Sequence, residues 1–317
     1  MNLLITGVSG FLGQALVKRL MHTNPFMRTV GLDRVRPTVL GPAHFIEADL
    51  RNTDIGDLLL INDIQVVIHL AVTGATAGAD ADHEILRRLL EVAEPAGVKR
   101  IVVPSRDWVY ARAEAPCDEE SPLRTSIVTG TGLRARRRRI AAWMGWAPVE
   151  AKLLVETTIS EYRLLDEAVE VVTARLCSVI DSGRSRPLDA ILSAKWLFGP
   201  SDYELFFQFL NIDDAANLLL ECATTEGMDG AYNIAGGEPL SLDTIGGILE
   251  KRVLRMPKPL IRATVGGLSR LGLLGFGLGD LVRIQLGMPM CTDKAADALG
   301  QPTLTSRQAL ALWRARG

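Results

Sequence analysis

Met1 to Asp33 constrain this chain more than any other stretch. Asn2-Leu3-Leu4-Ile5-Thr6 is a short apolar run of strand length, and it breaks into Gly7-Val8-Ser9-Gly10-Phe11-Leu12-Gly13. An amphipathic segment follows from Gln14 to His22. A second apolar run, Thr29 to Leu32, then ends on Asp33, twenty residues after Gly13. Strand, glycine turn, helix, strand and terminal acid in that order predict a βαβ unit carrying a dinucleotide fingerprint. Gly7 permits the tight turn off the strand. Gly10 lets a pyrophosphate approach the backbone at the helix N-terminus, with Ser9, Phe11 and Leu12 in the same turn, and Gly13 lets the helix lie close to the sheet. Asp33 is placed to accept hydrogen bonds from the adenosine ribose hydroxyls.

The glycines are spaced G-x-x-G-x-x-G after a threonine, which resembles the extended short-chain dehydrogenase/reductase superfamily, the NAD-dependent epimerase/dehydratase group. The resemblance continues at Ala48-Asp49-Leu50, at Val66-Val67-Ile68-His69-Leu70-Ala71 and at Glu119 to Leu123. It recurs at Phe209 to Ala215 and Gly230 to Gly236, in the family's order. It implies an α/β fold: a Rossmann-type doubly wound parallel sheet with a smaller C-terminal substrate-binding lobe. It also implies NAD or NADP as cofactor, with Asp49 and Leu50 near the adenine and Leu70 and Ala71 along the dinucleotide. Asp33 favours NAD, because a carboxylate repels a 2′-phosphate, while the adjoining Arg34 is the argument for NADP.

Length and charge agree with this. A chain of 317 residues can bury a large core, and a formal net charge of −2 gives no reason to expect nucleic acid. Cys117, Cys177, Cys222 and Cys291 lack metal-ligand spacing and read as free thiols of a reducing compartment. The four histidines are scattered without ligand spacing either, so no metal is expected. Neither a signal peptide nor a run of about eighteen apolar residues is evident, so the expectation is a cytoplasmic protein without a transmembrane segment. A small-molecule substrate and a possible homodimer are the expected partners. The alternation of apolar runs and amphipathic stretches assigns residues 1–175, with 206–236, to the nucleotide-binding domain. Residues 176–205 and 237–317 are left for the substrate lobe.

The catalytic pattern is incomplete. The resemblance implies a serine or threonine, a tyrosine, and a lysine four residues after the tyrosine. Lys152 matches the lysine, but the tyrosine position holds Pro148, which has no proton to give. Val103-Pro104-Ser105-Arg106-Asp107-Trp108-Val109-Tyr110-Ala111 resembles the segment that carries the hydroxyl. Counting back four from Tyr110 reaches Arg106, and Ser105 lies one place earlier, reachable only if the loop slips by a residue. The candidate catalytic residues are therefore Ser105, Arg106, Tyr110 and Lys152. Arg106 or Ser105 would polarise a substrate oxygen, Tyr110 or Asp107 would relay a proton, and Lys152 would hold the nicotinamide ribose. A guanidinium steadies an alkoxide but is a poor base, so the expected activity is NAD(P)H-dependent reduction of a carbonyl. Two alternatives stay open: a dinucleotide-binding sensor or structural protein without catalysis, and a nucleotide-sugar epimerase or dehydratase with a displaced base. Arg134 to Arg139, with Trp143 and Trp146 after it, reads as a solvated basic loop or an anion-binding lid. Thr264 to Val282, rich in leucine and glycine, reads as part of the substrate lobe.

Overall fold

The computed structural model describes residues 1–316 except 24–26, 40–42, 72–78, 115, 125–146, 166–167 and 182–186. The basic run Arg134 to Arg139, Trp143 and Trp146 lie outside the described residues.

The chain opens with β1 (Asn2–Thr6), α1 (Phe11–Thr23), β2 (Arg28–Asp33) and β3 (His44–Glu47). It continues with α2 (Ile55–Ile61), β4 (Val66–His69), α3 (Ala79–Ala93) and β5 (Arg100–Arg106). A 3-10 turn (Asp107–Val109), α4 (Ala147–Arg163) and β6 (Glu170–Leu176) follow. Strands β1, β4 and β5 are buried along nearly their whole length, which is why they are written as unbroken apolar runs rather than alternating ones. Helix starts carry their own signals. Asp54 caps α2 by accepting from Asp57 N at 3.1 Å, while the apolar positions Ile85, Leu86, Leu89 and Leu90 give α3 its inward stripe.

After β6 the chain makes a second, looser body. It contains β7 (Ser178–Ile180), α5 (Pro187–Ser193), β8 (Trp196–Pro200), β9 (Phe206–Phe207) and β10 (Phe209–Asn211). The chain then returns through α6 (Ile212–Thr224) and β11 (Gly230–Ile234), and finishes with β12 (Leu240–Ser241), α7 (Leu242–Leu249) and β13 (Arg252–Met256). The last helices are α8 (Lys258–Arg270), α9 (Leu278–Ile284), α10 (Asp293–Leu299) and α11 (Ser306–Arg316).

Among the described residues the main sheet has seven strands in the order β11-β6-β5-β4-β1-β2-β3, all parallel. One face is covered by α1 and α6 through Leu16, Val17, Leu20 and Leu219. The other is covered by α2, α3 and α4 through Leu59, Leu86, Val155 and Ile159. The order reverses between β1 and β4, the crevice where doubly wound sheets bind ligands at their carboxyl ends. The smaller body has its own cores, one around Leu192, Leu242, Ile245 and Leu310 and one around Phe198, Ile261, Val265 and Phe276.

Two boundaries matter for the site. The pairing of β5 with β6 runs past Pro104 through Ser105↔Arg175 and Arg106↔Leu176, so both candidate residues belong to the strand. α4 takes Pro148 into its first turn, where a missing N–H costs no intrahelical bond. The closing segment clamps the two bodies. Thr303 N and Leu304 N donate to the Asp214 carboxylate at 3.0 Å each, Phe209 N donates to Ser306 Oγ at 3.0 Å, and Ser306 N donates to Gly236 O.

Candidate active site

The β1–α1 turn is built around two glycines that the fold itself demands and one that it does not. Gly7 sits at φ +71°, and a Cβ there would lie 2.8 Å from Ala71 N and Leu70 C. A Cβ on Gly13 would come within 2.6 Å of Gly7 O and of Val8 backbone atoms. Gly10 is different: it is exposed, and its Cβ would meet only Gly7 O, at 3.1 Å. Gly10 lies at the start of α1, beside half-buried Phe11 and Leu12, and that one carbonyl is all a Cβ there would meet. That helix has no acidic residue in its first turn to answer the positive end of its dipole. A bare backbone facing a helix N-terminus fits a pyrophosphate.

The neighbouring strand ends continue the cradle. Asp33 accepts from Ser9 N at 2.9 Å and from Arg34 N at 2.7 Å, which fixes its carboxylate at the tip of β2; Ser9 Oγ donates to Val35 O. Arg34 itself is exposed. Asp49 follows β3, and Arg51 holds its carboxyl down to about 2 by side-chain and backbone hydrogen bonds. Leu50 is buried in the α2–α3 core, so only its backbone remains near the strand ends. Leu70 N donates to Thr6 O and Ala71 N to Thr6 Oγ1, which presses the segment after β4 against Gly7.

The tip of β5 holds the reaction candidates, and strand alternation separates them. Ile101 and Val103 pack on the α3–α4 face and Val102 on the α1–α6 face, so Ser105 and Arg106 leave the strand toward opposite sides. Ser105 is 0% exposed, and its Oγ has no hydrogen-bond partner among the described residues. The one-residue slip that would present it does not occur, because the β5–β6 register holds through Arg106. Arg106 is half-buried, its guanidinium 4.6 Å from the Trp108 ring centroid.

The relay expected of Tyr110 finds no support in this geometry. Its ring is 0% exposed, its hydroxyl donates to Asn233 Oδ1 at 2.6 Å and accepts from Arg175 Nη1 at 2.9 Å, and burial pushes the phenol up to about 12. It is a strut in a buried network that ends in the Arg175–Glu156 ion pair, 2.9 Å long.

Lys152 comes up from α4, half-buried, and donates to Pro104 O at 2.7 Å. Burial brings its ammonium down to about 8; Arg106 adds to the effect, and Asp82 and Glu156 oppose it. Two further groups share this environment, His69 and the Asp107 that the sequence offered as an alternative proton relay. His69, at the end of β4, bonds Thr6 through Nδ1 at 2.9 Å and is held down to about 4 by burial and by Lys152, so it is neutral at physiological pH. Asp107, just past Arg106, is buried, and burial lifts it to about 6 against the pull of Arg106.

Beside this tip lies a cleft of about 600 Å³, with Arg112, Arg124, Tyr203, Lys258 and Gly287 in its wall. Two of these wall residues pack on the residues that follow β5. A Cβ on Gly287 would lie 2.5 Å from Asp107 Oδ2, and Arg124 Nε donates to Trp108 O at 2.8 Å. Arg112 and Lys258 both lie over the Tyr203 ring, at 3.9 and 4.5 Å from its centroid, and face the same space. Sequence reasoning did not reach these residues. They come from three separate loops and helix ends, with no periodicity or spacing to bring them together.

Comparison with known proteins bears on this arrangement. Residues 3–133 match the NAD dependent epimerase/dehydratase family. This is the family whose resemblance the glycine turn, the Asp49 segment and the His69 segment carried. The epimerase/dehydratase match ends before α4, so Lys152 and the cleft residues from Tyr203 onward lie beyond it. Among curated proteins, an uncharacterised Mycobacterium tuberculosis protein is 28% identical over 120 residues, covering 34% of this chain and 32% of that one. The chain thus spans about a third of that relative's length. Among solved structures, MoeE5 in complex with UDP-glucuronic acid and NAD has a TM-score of 0.71 at 21% identity, covering 100% of this chain and 99% of that one. The UDP-glucuronic acid 4-epimerase of Bacillus cereus gives 0.69 at 19%, covering 99% of each chain. The NDP-hexosamine 5,6-dehydratase TunA gives 0.70 at 21%, covering 100% and 98%. These likenesses establish the fold, which is the doubly wound Rossmann-type sheet expected from the sequence.

Proposed function

We propose that this chain is an NAD-linked enzyme of the epimerase/dehydratase type, acting on a nucleotide-linked sugar with a displaced acid–base group. The observation that carries the reading is a cleft beside the tip of β5 whose wall holds three cations, Arg112, Arg124 and Lys258, and whose Gly287 packs on Asp107 behind it. The cations suit the phosphates of a nucleotide-linked ligand. The family match and the fold both favour this over the simple carbonyl reductase expected from the sequence.

Gly10 and the start of α1 would receive the pyrophosphate, and Asp33 the adenosine ribose. Lys152 would bond the nicotinamide ribose. When bound, the dinucleotide would accept hydride from a sugar carbon and return it. Removing the alcohol proton needs a base, and Pro148 supplies none. Asp107, held near 6, is ionised at neutral pH and adjoins the cleft wall, so it is the residue to which this role falls. Arg106 would hold the oxygen as charge develops on it.

Net reduction of a carbonyl remains the second reading, favoured by one observation: the hydroxyl position is filled by Arg106, which can polarise but not deprotonate. Purified protein incubated with NAD and a panel of UDP- and dTDP-sugars, and in parallel with NADH and the corresponding keto-sugar nucleotides, separates the two. Epimerised or dehydrated product without cofactor consumption supports the first reading, stoichiometric NADH oxidation the second. Dinucleotide binding with neither would mark a non-catalytic binder. In the active case Arg106→Met is expected to lower kcat roughly ten- to a thousandfold.

A further inference from the structure

The leucine- and glycine-rich stretch around α8 contributes only Lys258 to the cleft and is otherwise unexplained by the reaction. From Lys251 to Gly279 the chain carries six basic residues and no acidic one, in a protein of formal net charge −2. Two of the six are occupied: Lys251 Nζ donates to Leu192 O, and Arg255 pairs with Glu204 and Asp243. Lys258, Arg262 and Arg270 are exposed along α8.

α8 turns Ile261 and Val265 into the core and leaves Leu260 53% exposed at its start. The loop after it holds Leu271 and Leu273 out at 73% and 67%, with Gly272 at φ +71° turning the chain between them. Large aliphatic side chains standing in water beside cations are what an anionic bilayer surface accommodates, leucines at the acyl boundary and cations among the phosphates. A second copy of this chain is a poorer occupant, because two-fold pairing of this face would set its own cations against one another.

We propose that α8 and the loop through Leu273 dock peripherally on an anionic phospholipid surface. No helix among the described residues is long and apolar enough to cross a membrane, so the contact lies in the interface plane.

Flotation of the full chain with phosphatidylcholine vesicles containing phosphatidylglycerol, against phosphatidylcholine alone, tests this. The chain is expected to float with the anionic vesicles at low salt, to be released as salt rises, and to stay behind with the neutral ones. Leu271→Ser/Leu273→Ser and Arg262→Glu/Arg270→Glu are each expected to cut the bound fraction's partition coefficient at least about tenfold. Thermal unfolding of the two variants should match wild type, since every altered side chain is exposed. Absence of flotation, equal flotation with neutral vesicles, or wild-type partition of both variants would overturn the proposal. So would light scattering that shows a dimer which Leu271→Ser/Leu273→Ser separates.

Discussion

Gly7, Gly10 and Gly13 share a motif but not a physical reason, and substitution should separate them. Gly13→Ala places a methyl 2.6 Å from backbone atoms that cannot retreat, so a stability loss of about 1–3 kcal/mol is expected, read from urea unfolding. Gly10→Val, whose Cβ would meet only Gly7 O, at 3.1 Å, is expected to shift the midpoint less than Gly13→Ala while abolishing NAD binding in titration calorimetry. Asp107 gives a second test at this scale. Its native pKa of about 6 lies above the ordinary aspartate value of 3.8, so the folded state holds the proton more tightly. Wild-type stability therefore carries an increasing penalty as pH rises through that window, and the penalty is complete above it. Asp107→Asn should gain on wild type by about 2–3 kcal/mol between pH ~4 and pH ~7, with no gain on the acid side. His69, held down to about 4, acts oppositely and lowers stability as pH falls below its ordinary value, but it is common to both proteins and cancels. If Asp107 is the base, the stabilised variant loses activity. The cradle was legible in the sequence because its residues are local: three glycines, an aspartate and a fixed helix length. Tyr110 was misread because its partners, Arg175 and Asn233, lie 65 and 123 residues further along the chain.

α4 shows how one element carries both structure and chemistry. Glu156 and Lys152 are one helical turn apart: Glu156 pairs with buried Arg175 while Lys152 meets Pro104 O. Glu156→Leu alone would strand the Arg175 guanidinium in a buried site and is expected to cost about 3–5 kcal/mol. The double variant Glu156→Leu/Arg175→Met should recover much of that in urea unfolding, because neither charge is then left unpaired. Weaker NAD binding in the recovered double variant would show that the pair also orients Lys152. The sequence marked Pro148 only as the residue standing where a tyrosine was expected, not as part of a helix. A proline is ordinarily a stop signal, and only the absence of an intrahelical partner in the first turn makes Pro148 acceptable.

At the scale of the whole molecule, two bodies are interleaved rather than joined end to end. In the sequence, the segments at Phe209 and Gly230 resemble parts of the nucleotide-binding half; in the structure β11 pairs with β6 of the main sheet. The clamp formed by residues 303–306 was invisible in the sequence, because its contacts are backbone groups meeting side chains without any sequence pattern. Asp214 accepts two backbone N–H groups, so Asp214→Ala is expected to destabilise the protein by about 1–3 kcal/mol. Hydrogen exchange should quicken first in residues 303–306 and in α11, before the main sheet responds.

The position of β11 has a consequence for how the chain is made. β6 receives this outer neighbour only after everything between Leu176 and Gly230 has been synthesised. During translation the far side of β6 presents a row of unpaired amides and carbonyls, flanked by apolar residues whose cover, α6, is also still to come. Chains stalled after β6 should accordingly aggregate or recruit holding chaperones, whereas chains stalled beyond β11 should resist protease through the whole sheet.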